Sequence, residues 1–350
     1  MFRYIGNKTK LLPDIMRATK DAIGDTGTVV DLMAGTGSVS LEYRKRGYTV
    51  IAADVMTYSK CHLISQLLYN EPPHFYGLGN LLPNDSDASN RYERVIKYLN
   101  GLEPVCGYFY REFSPGGMPA NGCAPRKYFT AENAAKIDAV REQIRKWIEA
   151  GLISDKESAV LKHTLIMAVN KVANISGTYG YYLSSFKGSA LDNFFMEAVP
   201  FYPGGRTDHT VLQGFAEDLA PTITADLCYI DPPYMKRQYA ANYHILETIA
   251  RGDYPEAVGK SGLRNWWDQH SKLCTKTRGL ASFEKILGRM NCPIFLISYS
   301  EDGLFSLEQL SDCFRQFGNV TIRKLEYTRF RSNHSNLPKQ LTEYLIIVKK

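Results

Sequence analysis

Residues 227–234 read LCYIDPPY, an apolar run that ends in an acid, two prolines and a tyrosine. Neither proline has an N–H with which to continue a ladder, and both restrict the backbone, so the strand end favours rigidity over hydrogen bonding. Such a corner suits recognition of a planar exocyclic amine. The Asp231 carboxylate and the Pro232 carbonyl can each accept one amine hydrogen, while Tyr234 stacks on the attached ring. A proline-terminated strand with a packing tyrosine is the plainer alternative.

A second cluster, DLMAGTGS at residues 31–38, joins a strand to a helix. Asp31 ends the strand, and Ala34, Gly35 and Gly37 form a turn whose backbone can approach a ligand at a helix N-terminus. A third glycine is missing, so the pattern is incomplete as a dinucleotide fingerprint. Asp54 lies about 20 residues on, at the end of the next apolar run, where an acid can accept hydrogen bonds from ribose hydroxyls. Together the two clusters indicate a nucleoside-bearing cofactor; an ordinary turn with an unrelated acid is the alternative.

These residues need a scaffold, and the hydrophobic pattern supplies an α/β one. Short β-branched runs at residues 28–33 and 49–54 predict the first two strands, and residues 38–47 predict a helix between them closed by Gly47. Strand patterns resume at residues 210–212, 227–230, 294–297, 323–327 and 344–348. Between the two groups, residues 71–128 carry Pro and Gly clusters and many aromatics, which predicts a loop-rich insertion. Thr130 can cap a helix with Ile137, Val140, Ile144 and Trp147 on one face and Lys136, Arg141, Arg145 and Lys146 projecting elsewhere. Ser154 and Glu157 form a capping-box pattern before a second helix whose face is built from Val160, Leu161, Leu165, Ala168, Val169 and Val172. The expected organisation is a catalytic domain from residues 1–70 and 200–350, with residues 71–199 as an inserted helical and loop-rich region.

Composition narrows the class. With 44% hydrophobic and 22% charged residues, the 350-residue chain can bury a substantial core and large-scale disorder is not expected. No apolar run approaches the roughly 20 residues of a membrane span. The opening MFRYIGNKTKLL lacks an apolar signal core, so a cytoplasmic protein is expected. Seven cysteines without a C-x-x-C pair argue against a disulfide framework and a zinc site, and no metal is expected. The net charge of +6 fits a polyanionic partner without requiring one.

Taken in order, the motifs resemble the Dam-like DNA N6-adenine methyltransferases of the alpha class, particularly the restriction-modification and phage branch. RYIGNKTKLL at residues 3–12 is similar to the N-terminal methionine-site motif, DLMAGTGS to the glycine loop, and DPPY at residues 231–234 to the catalytic tetrapeptide. NYHILETIA after the tetrapeptide and TEYLIIV near residue 345 also have counterparts there. The resemblance implies a Rossmann-like sheet that uses S-adenosylmethionine, with a target-recognition insertion. It implies that Tyr4 and Lys8 approach the carboxylate or sulfonium end of the cofactor, that Asp54 binds its ribose, and that Phe215 in LQGFAEDL packs on its adenine. Gly214 departs from the family pattern, which leaves open whether Glu217 or Asp218 makes the polar contact.

The implied partner is double-stranded DNA. NISGTYGYYLSSFK resembles the segment that approaches the target base, which nominates Asn174, Tyr179 and Lys187, with stacking rings and charge of the kind that reads bases. An aromatic hairpin packed in a core is the alternative. Lys236 and Arg237 follow the tetrapeptide, and Arg329 and Arg331 lie in a basic loop, so all four can contact phosphate. The implied reaction transfers a methyl group to the N6 amine of a flipped-out adenine. The rivals are N4-cytosine methylation and an inactive DNA-binding protein on the same fold. A cognate restriction endonuclease as partner, and the choice of monomer or dimer, stay open at this level.

Overall fold

In the computed structural model, which describes residues 3–4, 6, 8–79, 81–82, 90–206, 208–233, 235–236, 238–328 and 340–350, the seven expected apolar runs become seven strands of one sheet. They are β1 (Thr28–Asp31), β2 (Thr49–Asp54), β3 (Thr210–Gln213), β4 (Leu227–Ile230), β5 (Ile294–Ser300), β6 (Asn319–Thr328) and β7 (Gln340–Lys349). Their spatial order is β3-β2-β1-β4-β5-β7-β6. The first five in that order run parallel, and β7 is antiparallel to both of its neighbours. This is the Rossmann-like α/β arrangement that was expected.

Contacts divide the chain into two compact units. The sheet unit holds Gly6–Leu63, Gly204–Tyr239 and Trp267–Lys350; the helical unit holds Met1–Ile5, Ile64–Pro203 and Ala240–Trp266.

In the sheet unit, β4 is buried along its whole length because side chains on both sheet faces are covered. Cys228 and Ile230 enter one apolar cluster with Phe295, Ile297, Phe283 and Phe314. The intervening Tyr229 points to the opposite face, as a two-residue period requires. The helix Leu12–Ile23 packs against β4 and β5 with Ile15, Met16, Ala18 and Thr19 buried. Thr19 Oγ1 lies 2.8 Å from the Tyr43 hydroxyl, which ties this helix to the helix Ser38–Lys45.

In the helical unit both predicted caps are present. Thr130 accepts the Asn133 N–H at the start of the helix Ala131–Glu149, and Ser154 with Glu157 closes a capping box on the helix Asp155–Val172. Each such cap stabilises its helix by about 1 kcal/mol. Arg141, expected off the apolar face of its helix, is nonetheless buried, with its guanidinium over the Phe109 ring at 4.6 Å and Nη2 donating to the Asp253 carbonyl at 2.8 Å. The loop-rich stretch also contains the helices Arg91–Asn100 and Tyr108–Phe113. Among the described residues no helix is long and apolar enough to cross a membrane.

Candidate active site

Chain order along the sheet reverses at β1, which has β2 on one side and β4 on the other. The crevice outside the carboxyl ends of such strands is where open α/β sheets take ligands. Three acids stand there on adjacent strands: Asp31 ends β1, Asp54 ends β2 and Asp231 follows β4. All three belong to the sheet unit.

The turn after β1 explains its glycines. Gly35 has φ 54° and Gly37 has φ 77°, left-handed values that side chains disfavour. Asp54 fixes this turn, because Oδ2 accepts the Gly35 N–H and Oδ1 accepts the Met56 N–H, each at 2.8 Å. Gly214 donates its N–H to the Asp54 carbonyl at 3.1 Å, so the LQGF segment runs beside the same strand end, with Phe215 half-buried. The open choice between the two acids after Phe215 acquires a geometric distinction. Glu217 is buried, whereas Asp218 is exposed and pairs with Lys285 at 3.0 Å.

Asp31 is 1% exposed and accepts the Ser40 hydroxyl at 2.6 Å. Burial pushes its carboxyl up to about 7; the Ser40 bond opposes the rise, and the nearby charges of Asp231 and Asp54 add to it.

Asp231 lies in a charge cluster that the sequence patterns only half revealed. Lys8 Nζ is 3.2 Å from Asp231 Oδ1 and 2.5 Å from Glu343 Oε1. Ser298 on β5 donates its hydroxyl to the same Glu343 oxygen at 2.7 Å. The Glu343 side chain is fully buried and that of Lys8 nearly so, whereas the Asp231 side chain keeps 18% exposure and is the member of the trio that opens to solvent. Burial raises the Asp231 carboxyl to about 7, Lys8 opposes the rise, and the Glu343 charge adds to it. Tyr229, beneath the corner on β4, is pushed well above the ordinary phenol value, first by burial and then by the Asp231 charge. Two carboxylates, Asp231 and Glu343, thus share one ammonium.

The remaining nominated residues divide. Pro232 is buried beside Asp231, and Ala34 sits half-buried in the glycine turn, its N–H donating to the Ala53 carbonyl at 3.0 Å. Tyr4 belongs to the helical unit, where its ring stacks on Tyr243 with centroids 4.7 Å apart. Lys187 and Lys236 are exposed. Two of the DNA candidates point inward. Tyr179 is fully buried within hydrogen-bonding distance of Asn170, and Asn174 donates to the Lys127 and Leu183 carbonyls at 2.9 and 3.0 Å. Occupied in this way, both shape the loop from inside, since a residue type that can read a base can equally satisfy a buried backbone. Tyr234, Arg237, Arg329 and Arg331 lie outside the described residues.

Glu343 and Ser298 were not found by sequence reasoning. The available signal was a lone acid in the apolar strand TEYLIIV, because a buried carboxylate requires a partner.

The family described as D12 class N6 adenine-specific DNA methyltransferase matches residues 4–309. The type II methyltransferase M.FokI of Planomicrobium okeanokoites is 33% identical over 99% of this chain and 52% of its own length. The modification methylase LlaI of Lactococcus lactis subsp. lactis is 35% identical over 99% of this chain and 55% of its own. The chain therefore spans about half the length of those curated relatives. With the type II methyltransferase M.NlaIII of Neisseria lactamica it shares 32% identity over 99% of both chains.

Proposed function

We propose, from the premise that this chain belongs to the D12 class N6 adenine-specific DNA methyltransferase family, that it methylates the N6 amine of adenine within a specific sequence of double-stranded DNA. S-adenosylmethionine is the proposed donor, and when bound it supplies an electrophilic methyl group on a sulfonium. The observation that carries the reading is the Asp231 corner: a carboxylate at the switch point, next to a proline carbonyl, with Lys8 on Oδ1 at 3.2 Å.

The residues around that corner fit the donor. The left-handed turn at Gly35 and Gly37 would let the backbone of residues 34–37 approach the donor, Asp54 would accept from its ribose hydroxyls, and Phe215 would pack on its adenine. Tyr4 and Lys8 are proposed for its methionine end.

The target adenine must leave the duplex before its amine can reach this corner, at an unstacking cost of a few kcal/mol. Asp231 and the Pro232 carbonyl then accept the two amine hydrogens, and Tyr234 stacks on the base. Held in this way, the nitrogen would present its lone pair to the methyl group that a bound donor would supply with its thioether as leaving group, and the positive charge developing on nitrogen would face the Asp231 carboxylate. The surplus proton leaves through Asp231 to solvent. Lys187, Lys236, Arg237, Arg329 and Arg331 are proposed for phosphate contacts, with Asn174 and Tyr179 supporting the loop that bears Lys187. The relatives' names support a modification methylase that works opposite a cognate restriction endonuclease.

Expression in cells whose DNA lacks methylated adenine tests the proposal. Digested DNA should contain N6-methyladenine at one sequence context, and Asp231→Ala should abolish it while cofactor affinity stays within about threefold. Methyl groups on cytosine N4, or undiminished product from Asp231→Ala, would overturn it.

A further inference from the structure

We propose that Glu343, which also accepts the Ser298 hydroxyl, is a positioning residue that shares Lys8 with Asp231 and so keeps the Asp231 carboxylate available to the target amine. This rests on the reading of Asp231 as the amine acceptor.

Glu343 cannot touch substrate, because its side chain is fully buried on β7, where its backbone pairs with Ser300 and Leu325. Stability gives no reason for a carboxylate there. A well-packed apolar residue at a buried ionic position usually serves as well or better. Glu343 Oε2, moreover, has no hydrogen-bond partner among the described residues. The side chain instead engages the catalytic corner: Oε1 takes Lys8 Nζ at 2.5 Å, while Asp231 holds the same ammonium at the longer distance of 3.2 Å.

That inequality has a chemical consequence. If Lys8 faced Asp231 alone, the ammonium would neutralise it, and a carboxylate bound tightly by a cation is a weak acceptor for an amine hydrogen. By drawing Lys8 toward β7, Glu343 leaves Asp231 with most of its charge. Among the described residues, the groups that face Asp231 are Lys8 from the segment before the helix Leu12–Ile23, Asp31 from β1, Tyr229 from β4 and Glu343 from β7. Lys8 is the cation among them, so its position controls the corner. Burial and the Glu343 charge push the Asp231 carboxyl upward against Lys8, in the direction this sharing requires.

The test reads Asp231 in two ways, through the acid limb of the pH profile for single-turnover methyl transfer and through the Asp231 carboxyl carbon resonance titrated in cofactor-free protein. Glu343→Gln keeps the shape and removes the charge, so Lys8 turns to Asp231. Both readouts should move down by about 0.5 pH units or more. The single-turnover rate at pH 8 should fall about tenfold, with KM for DNA and for S-adenosylmethionine little changed. Ser298→Ala withdraws one donor from Glu343 Oε1, strengthens its hold on Lys8, and should move both readouts slightly upward. Opposite signs from two neighbouring substitutions are not what general loosening produces. A Glu343→Gln profile and resonance that coincide with those of the parent overturn the inference; if Glu343→Gln does not fold, failure of Ser298→Ala to move the readouts upward does so. Asp231→Ala separates the two levels. Undiminished methylation there sinks the functional reading itself, whereas an inactive Asp231→Ala alongside an unmoved Glu343→Gln removes only the role of Glu343.

Discussion

Replacing Asp231 with Asn should stabilise the cofactor-free protein at neutral and alkaline pH while abolishing methylation. Asn resembles the protonated carboxyl in shape and removes the charge that burial disfavours. The Asp231 carboxyl rises from the ordinary 3.8 to about 7. At roughly 1.4 kcal/mol per pH unit, the ionised side chain therefore burdens the fold by up to about 4 kcal/mol, and its partial contact with water brings the expected gain to about 2–4 kcal/mol. The sign follows from linkage. The folded-state value is raised, so below about pH 4 the carboxyl is protonated in both states and the two proteins match. Between about pH 4 and pH 7 the parent takes up a proton on folding and loses stability as pH rises; above pH 7 the gap is complete. Urea unfolding of both proteins at pH 5 and pH 8, with filter-binding assays of methyl transfer, measures the two halves. An Asn variant less stable than the parent at pH 8, or a gap of equal size at both pH values, would refute the reasoning. A positive result would mean that the corner is held in a strained electrostatic state for the sake of the reaction.

Two further expectations concern the turn and the helical unit. Asp54→Ala should weaken S-adenosylhomocysteine binding by at least about tenfold in calorimetry, since it orphans two backbone N–H groups and removes the proposed ribose acceptor; unchanged affinity would free Asp54 of that role. Arg126 is fully buried and donates to the Glu112, Ala257, Gly259 and Lys260 carbonyls, so Arg126→Met should lower urea stability by about 3–5 kcal/mol, and a loss below about 1 kcal/mol would show that these bonds do not hold the helical unit together.

The inner strands β1, β4 and β5 were legible because they are buried on both faces and read as apolar runs, whereas the edge strands β3 and β6 are partly exposed and were marked by their β-branched and apolar residues. The strand ends were less legible. β5 extends to Ser300 and β7 begins at Gln340, beyond the expected apolar stretches, because an antiparallel ladder continues through polar residues that hydrophobicity does not mark. The helix Arg91–Asn100 was obscured by the surrounding turn residues, although Asn90 accepting the Glu93 N–H is an ordinary cap. Within the site, Asp31, Asp54 and Asp231 could be read because each ends an apolar run next to its motif. Glu343 could not, because its significance depends on β7 lying beside β5 and on Lys8 arriving from more than three hundred residues earlier. Tyr179 and Asn174 show the complementary failure, since composition identifies what a side chain can do but not which way it points.

The position of β7 also constrains how the protein comes into being. It is translated after β5 and β6 yet lies between them. A ribosome that has delivered both strands has therefore released a sheet with a gap, whose exposed edge invites pairing with other nascent chains until residues 340–349 slot in. The same insertion brings Glu343 to Lys8, so the charge cluster at the Asp231 corner forms only once that strand is in place.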